Sequence, residues 1–141
     1  MDRLSEIRER LAGSPFHSEF VGVRLDRVAP DEVDVSLDVE PRHLNLSGTL
    51  HGGMIATLAD TVTGLAYRTG LDEGSSALTS SLSVTFLRPG GIGVVTARGR
   101  VVKRGSHFGY AEADVEDADG TLLARAAATF TVLAAAPTAD Q

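Results

Sequence analysis

The stretch NLSGTLHGG, from Asn45 to Gly53, sets a side-chain amide, an imidazole and three glycines ahead of the apolar run MIATLADTVTGLAYR, whose one carboxylate is Asp60. A helix that starts here exposes backbone N–H groups with no intrahelical partner, and its aligned peptide dipoles add partial positive charge. Such an end suits an oxyanion. Gly52 and Gly53 lack the Cβ atoms that would keep a carbonyl oxygen away from those donors, although the same two residues also suit a simple tight turn. Asp60 adds a second function. An unpaired charge within an apolar helix is costly and usually serves a purpose. Gly53, Thr57, Asp60 and Gly64 fall at i, i+4, i+7 and i+11, so one stripe carries the carboxylate between small side chains. A groove over that stripe has room for a ligand or a partner backbone. The competing reading pairs Asp60 with an arginine across an interface.

The other candidate groups are weaker. His51 stands at the helix entrance, whereas His17, His43 and His107 have no second ligand at a metal-binding spacing such as H-x-H or H-E-x-x-H. Those three read as surface or loop residues, and no metal is expected. No G-x-S-x-G, G-x-G-x-x-G or G-x-x-x-x-G-K-[ST] pattern occurs, which argues against serine-hydrolase, Rossmann and P-loop chemistry. RPGGIG, residues 88–93, is glycine-rich but lies between two strand patterns and reads as a turn.

Those groups need a scaffold. Leu4, Ile7 and Leu11 repeat at helical spacing before Gly13 and Pro15, which predicts a short amphipathic N-terminal helix within residues 1–13. From Phe20 the period becomes two: Val21, Val23 and Leu25, then Val33, Val35, Leu37 and Val39 against charged neighbours, with APDE as the turn. Met54, Ile55, Leu58, Ala59, Val62, Leu65 and Ala66 cover most of a helix circumference, which predicts an enclosed helix ending at Arg68 and Gly70. Four further strands are expected as a meander in ALTSSLSVTFLRP, GVVTARGRVVKRG, HFGYAEADVED and TLLARAAATFTVL, with a frayed tail over 134–141. Segregated helices and strands predict an α+β fold in which a curved antiparallel sheet wraps the long helix.

Composition bounds the partners. The 141 residues fit one domain, with 43% hydrophobic and 23% charged residues, an ordinary balance for a folded protein. A net charge of −6 and no cluster of Lys and Arg exclude a nucleic-acid partner. There is no cysteine, so neither a disulfide framework nor a thiolate nucleophile is available. MDRLSEIRER lacks the apolar core of a signal peptide, and no apolar run approaches the ~20 residues that span a bilayer. A cytoplasmic protein with no membrane partner is the expectation.

The pattern N-L-S-G-T-L-H-G-G-x6-A-D, Asn45 through Asp60, resembles the signature of the hotdog-fold acyl-CoA thioesterases of the phenylacetate-pathway (PaaI-like) type, and LTSSLSVTFLRP resembles the family's strand after the central helix. The resemblance covers roughly residues 15 to 133 and agrees with the element order above. It implies hydrolysis of an aryl- or medium-chain acyl-CoA thioester with no cofactor. The working unit would be a homodimer, often paired again into a homotetramer, with Asn45 and HGG facing the partner's Asp60. By the resemblance, the Gly52 N–H would hold the thioester oxygen with help from the Asn45 amide, Asp60 would be general base or nucleophile, and His51 would orient the carbonyl or its neighbours. Thr79 would help hold the water, with Ser80 or Ser81 in its place if the register slips by a residue. Gly48 and Gly53 would border the substrate. Arg88, Lys103 and Arg104 are the basic residues that could meet coenzyme A phosphates, or else solvated turn residues.

The chemistry suits those residue types. An attacked thioester carbonyl becomes an oxyanion, and each preorganised donor is worth about 3 kcal/mol of barrier. A carboxylate surrounded by apolar helix can have its basicity raised toward the working pH, as a general base requires, whereas a direct nucleophile would form an anhydride. Two alternatives share the architecture: a module that binds an acyl thioester without turnover, and a hydratase acting on enoyl thioesters. The carboxylate at Asp60 favours hydrolysis over binding alone.

Overall fold

Alternation along EVDVSLDV produces strand β2 (Glu32–Val39), which buries Val33, Val35, Leu37 and Val39. β1 (Val23–Ala29) pairs with it antiparallel, Val28 opposite Val33. The computed structural model describes residues 2–135. Beyond β2 follow β3 (Ser76–Phe86), β4 (Gly93–Arg104), β5 (Phe108–Glu116) and β6 (Leu122–Leu133), all in one antiparallel sheet of order β1-β2-β4-β5-β6-β3. The N-terminal helix α1 (Arg3–Ala12) is capped by Asp2, whose Oδ1 accepts from the Ser5 N–H at 2.8 Å, and it buries Ile7 and Leu11. The long helix α2 (Gly52–Arg68) packs against β2, β3, β4, β5 and β6, so the sheet curves about it as expected. No helix among the described residues is long and apolar enough to cross a membrane.

Burial of Ile55, Leu58 and Val62 anchors α2, each such side chain contributing roughly 1.5–3 kcal/mol. Two glycines set how close the helix can lie. A Cβ at Gly99 of β4 would come within 2.5 Å of the Val62 carbonyl oxygen, and one at Gly109 of β5 within 2.1 Å of the Tyr67 ring. Tyr67 stacks on Phe130 with ring centroids 4.9 Å apart, closing the second part of the core.

Four expectations need correction. Phe16–Val21 forms a turn of π-helix rather than the start of a strand, because Gly22 at φ +83 reverses the chain before β1. The four late strands are not a simple meander: β3 lies at the far edge against β6. Its connection therefore crosses the end of the sheet, and RPGG belongs to that crossing rather than to a hairpin. The Leu87 and Arg88 N–H groups donate to the Leu123 carbonyl, and the Gly90 carbonyl accepts from the Leu50 N–H at 2.9 Å. Finally, α2 is not enclosed on all sides. Gly53 and Asp60 on the stripe of small residues are exposed. The tail expected over 134–141 lies outside the described residues from position 136 onward.

Candidate active site

The segment leading into α2 is held as a tight hydrogen-bonded loop. Oδ1 of Asn45 accepts from the N–H groups of Ser47 (2.9 Å) and Thr49 (3.1 Å), and its Nδ2 donates to Thr49 Oγ1 at 2.9 Å. A side-chain amide has two N–H donors, and the second has no partner among the described residues. Gly48 turns the loop at φ +80, its N–H bonded to the Asn45 carbonyl.

His51 is the N-cap. Its Nδ1 accepts from the Gly53 N–H at 2.8 Å, and its carbonyl accepts from Met54 and Ile55. With Nδ1 accepting, the neutral ring carries its hydrogen on Nε2. These bonds satisfy three of the first four helical N–H groups and leave Gly52 as the one without a partner among the described residues. The glycine pair also has a packing reason. A Cβ at Gly52 would sit 3.3 Å from the Phe86 ring, and one at Gly53 would sit 3.0 Å from His51 Nδ1. Asn45, Gly52, Phe86 and Arg88 line one open cleft.

Asp60 lies in a different cleft. Its Oδ1 accepts from Thr79 Oγ1 at 2.8 Å, while Gly64, one turn on, has nothing within 4 Å of where a Cβ would stand. A bulge between Thr79 and Ser81 settles which hydroxyl reaches the carboxylate: the Ser80 hydroxyl bonds Thr131, and Ser81 pairs with Thr129. The cleft, of about 310 Å³, is walled by α1 and the π-turn as well as α2, and His17, Arg10 and Arg68 line it. That volume sits at the low end for ligand sites.

Two histidines depart from expectation. His43 is 2% exposed and structural, its Nδ1 accepting from the Glu40 N–H and its Nε2 bonded to the Val21 carbonyl at 2.9 Å. His17 faces the Asp60 cleft, with Nδ1 2.7 Å from Ser14 Oγ. Burial pushes its pKa down, more than the Asp60 charge raises it. Its place depends on how the N-terminal turn folds over α2, which no local spacing announces. Arg68 had a signal. It continues the stripe of Asp60 and Gly64 by one more turn.

The basic residues divide. Arg88 donates to the Leu122 carbonyl at 3.1 Å beside the Gly52 cleft. Lys103 is exposed on β4. Arg104 is committed elsewhere, donating to the Tyr67 carbonyl and to Asp31 and lying over the Tyr67 ring, near the opposite end of α2 from Gly52.

Gly52 and Asp60 are eight residues apart, about 12 Å along the helix axis. An oxyanion donor must lie about 3 Å from the reacting oxygen and an attacking group about 3–3.5 Å from its carbon. Within one chain the two groups open into separate clefts.

Comparison with known proteins adds to this geometry. Residues 47–124 match the thioesterase superfamily. Human acyl-coenzyme A thioesterase 13 is 32% identical over 107 residues, covering 73% of this chain and 74% of that protein. Among solved structures, zebrafish thioesterase superfamily member 2 superposes with a TM-score of 0.82 at 27% identity, covering 95% of this chain and 100% of that one. A phenylacetic acid degradation-related protein from Ralstonia eutropha gives 0.82 at 26%, covering 92% and 99%.

Proposed function

The chain belongs to the thioesterase superfamily and is a thioester hydrolase of the hotdog fold, and from that premise we propose that it hydrolyses acyl-CoA thioesters, with aryl or medium-length acyl groups, at a site shared by two copies. The similarity to acyl-coenzyme A thioesterase 13 supports the coenzyme A thioester as substrate. The observation that carries the reading is Asp60, an exposed carboxylate held by the Thr79 hydroxyl on a stripe of otherwise small residues. The 12 Å separation then asks for a second subunit, whose helix entrance comes to this carboxylate.

In the shared site the carbonyl oxygen takes the free Gly52 N–H and the remaining Asn45 amide hydrogen. The reacting carbon faces Asp60 of the partner subunit. Thr79 Oγ1 gives its hydrogen to Oδ1 and keeps lone pairs, so a water can donate to Thr79 and to Oδ2 together while its own lone pair points at the carbon. Asp60 takes the proton as the water oxygen bonds to carbon, and the two amides hold the oxyanion. Collapse expels the coenzyme A thiolate, which takes up the proton. The hydrogen on His51 Nε2 is free to orient the carbonyl or a neighbouring group.

The test is thiol release from a panel of aryl and aliphatic acyl-CoA thioesters. Asp60→Asn should lower kcat by roughly 10²–10⁴-fold, the usual contribution of a positioned base, with an unchanged far-ultraviolet spectrum. Wild-type binding of acyl-CoA without any thiol release would instead favour the non-catalytic binding module.

A further inference from the structure

The cleft at Asp60 has a second, cationic end. Asp60, Gly64 and Arg68 stand at i, i+4 and i+8 of α2 and all three line it, so it runs two turns along the helix, about 12 Å. Leu65, Ala77 and Phe130 give it an apolar wall between the two charged groups. Three arginines gather at the far end around one carboxylate. Glu6 Oε2 accepts from Arg3 at 2.8 Å and Oε1 from Arg10 at 3.4 Å, and Arg3 is tied further to the Leu71 and Asp72 carbonyls. Arg68 has no hydrogen-bond or ion-pair partner among the described residues, although it is half-buried. Burial pushes its pKa down, Arg10 and Arg3 push the same way, and Glu6 opposes them. A desolvated, unpaired cation is costly to keep. In a chain of net charge −6, a surplus of positive charge at one end of a cleft stands out against the average.

We propose that this cleft holds the acyl group of the thioester and that Arg68, with Arg10 beside it, binds a carboxylate at the far end of that acyl chain. The favoured substrate is then the mono-thioester of a dicarboxylic acid, an ω-carboxyacyl thioester. This rests on the reading above, in which the thioester carbonyl lies at Asp60. The same geometry sets the chain length. A malonyl or succinyl group would leave its carboxylate beside that of Asp60, where like charges repel, whereas a hexanedioyl or octanedioyl chain reaches toward the guanidinium. A helical side chain leans back toward the helix N-terminus, which brings the Arg68 head group nearer to Asp60 than its Cα. That span is shorter than an extended pantetheine arm, so the anion is the acyl carboxylate rather than a coenzyme A phosphate.

The experiment compares kcat/KM for matched pairs, hexanedioyl-CoA against hexanoyl-CoA and octanedioyl-CoA against octanoyl-CoA, with succinyl-CoA as the short control. Each ratio is internal to one protein sample, so partial misfolding of a variant does not distort it. The wild type should favour the carboxyacyl member by about 10- to 100-fold, the usual range for a charge-assisted pair. That ratio should collapse toward one in Arg68→Met and be partly kept in Arg68→Lys, and the same collapse should appear with N-acetylcysteamine thioesters, which carry no phosphate. A wild-type ratio at or below one for every length overturns the proposal and leaves the thioesterase reading intact if the neutral substrates turn over. An Arg68→Met defect on neutral acyl-CoA that vanishes with N-acetylcysteamine thioesters assigns Arg68 to coenzyme A phosphate and also overturns it. Should no thioester turn over, the thioesterase reading fails by itself. Calorimetry with octanedioate then decides the cleft: binding by the wild type that is lost in Arg68→Met upholds the anion site, and no binding by the wild type overturns it.

Discussion

At the scale of single residues, the proposed site divides labour between groups that hold and one that reacts. Asn45 and His51 spend most of their hydrogen-bonding capacity on shaping the loop and capping α2. What is left is one amide hydrogen each at Asn45 and Gly52 and the hydrogen on His51 Nε2. Thr79 holds Asp60 by a single 2.8 Å bond, so removing its hydroxyl frees the carboxylate to rotate without removing the base. Thr79→Val should therefore lower kcat by about 10-fold, well short of the loss from Asp60→Asn, while Thr79→Ser restores most of the rate; steady-state thiol release measures both. The placement of His51, Gly52 and Asp60 at the entrance and on the stripe of α2 was legible because one continuous stretch fixes their helical positions, whereas Asn45 entered by the family resemblance. Thr79 came with a neighbouring ambiguity that only the bulge at Ser80 resolves. His17 was not legible, since its position beside Asp60 depends on packing between segments far apart in the chain. Arg68 could have been found by following the stripe of Asp60 and Gly64 one turn further.

At the scale of elements, the helix entrance is held by a loop from the far side of the sheet. The crossing segment after β3 bonds Leu50 through Gly90, and Phe86 closes over Gly52. The period-two patterns gave most of β2, β4, β5 and β6 because side-chain alternation is a local property. Their neighbour order was not legible, since alternation says which face a residue takes and nothing about which strand lies beside it. The strand expected from Phe20 begins only at Val23 for a related reason: Val21 is buried by a π-turn that presents one apolar side chain rather than an alternating row. The close contact of α2 with β4 gives a direct stability test. Gly99→Ala would place a methyl group 2.5 Å from the Val62 carbonyl oxygen, so the helix must move, and urea denaturation should show a loss of about 1–3 kcal/mol. A change within a few tenths would mean that the helix rides on the sheet more loosely than this contact implies.

At the scale of the whole molecule, one chain leaves two surfaces open. β3 is an edge strand of 11 residues with its ladder open on one side, and Leu78 and Phe86 along it are 59% and 55% exposed. Long apolar edges are rarely left bare. The stripe of α2 that carries Asp60 is open as well, and the proposed oxyanion donors, Asn45 and Gly52, line a separate cleft at the helix entrance. Pairing two copies would cover these surfaces and bring each entrance to the other copy's carboxylate. The proposed partner had two signs in the sequence: the stripe of small residues around Asp60 left room for a partner backbone, and the family resemblance implied a dimer. Co-expression of two inactive variants, Asn45→Ala and Asp60→Ala, tests the shared site most directly. Each variant alone should release little thiol from acyl-CoA. In a random two-fold mixture, half of the dimers are mixed and each of those holds one intact site, so activity should return to about a quarter of the wild type. No recovery from a mixture shown to contain mixed dimers would contradict a site built from two chains.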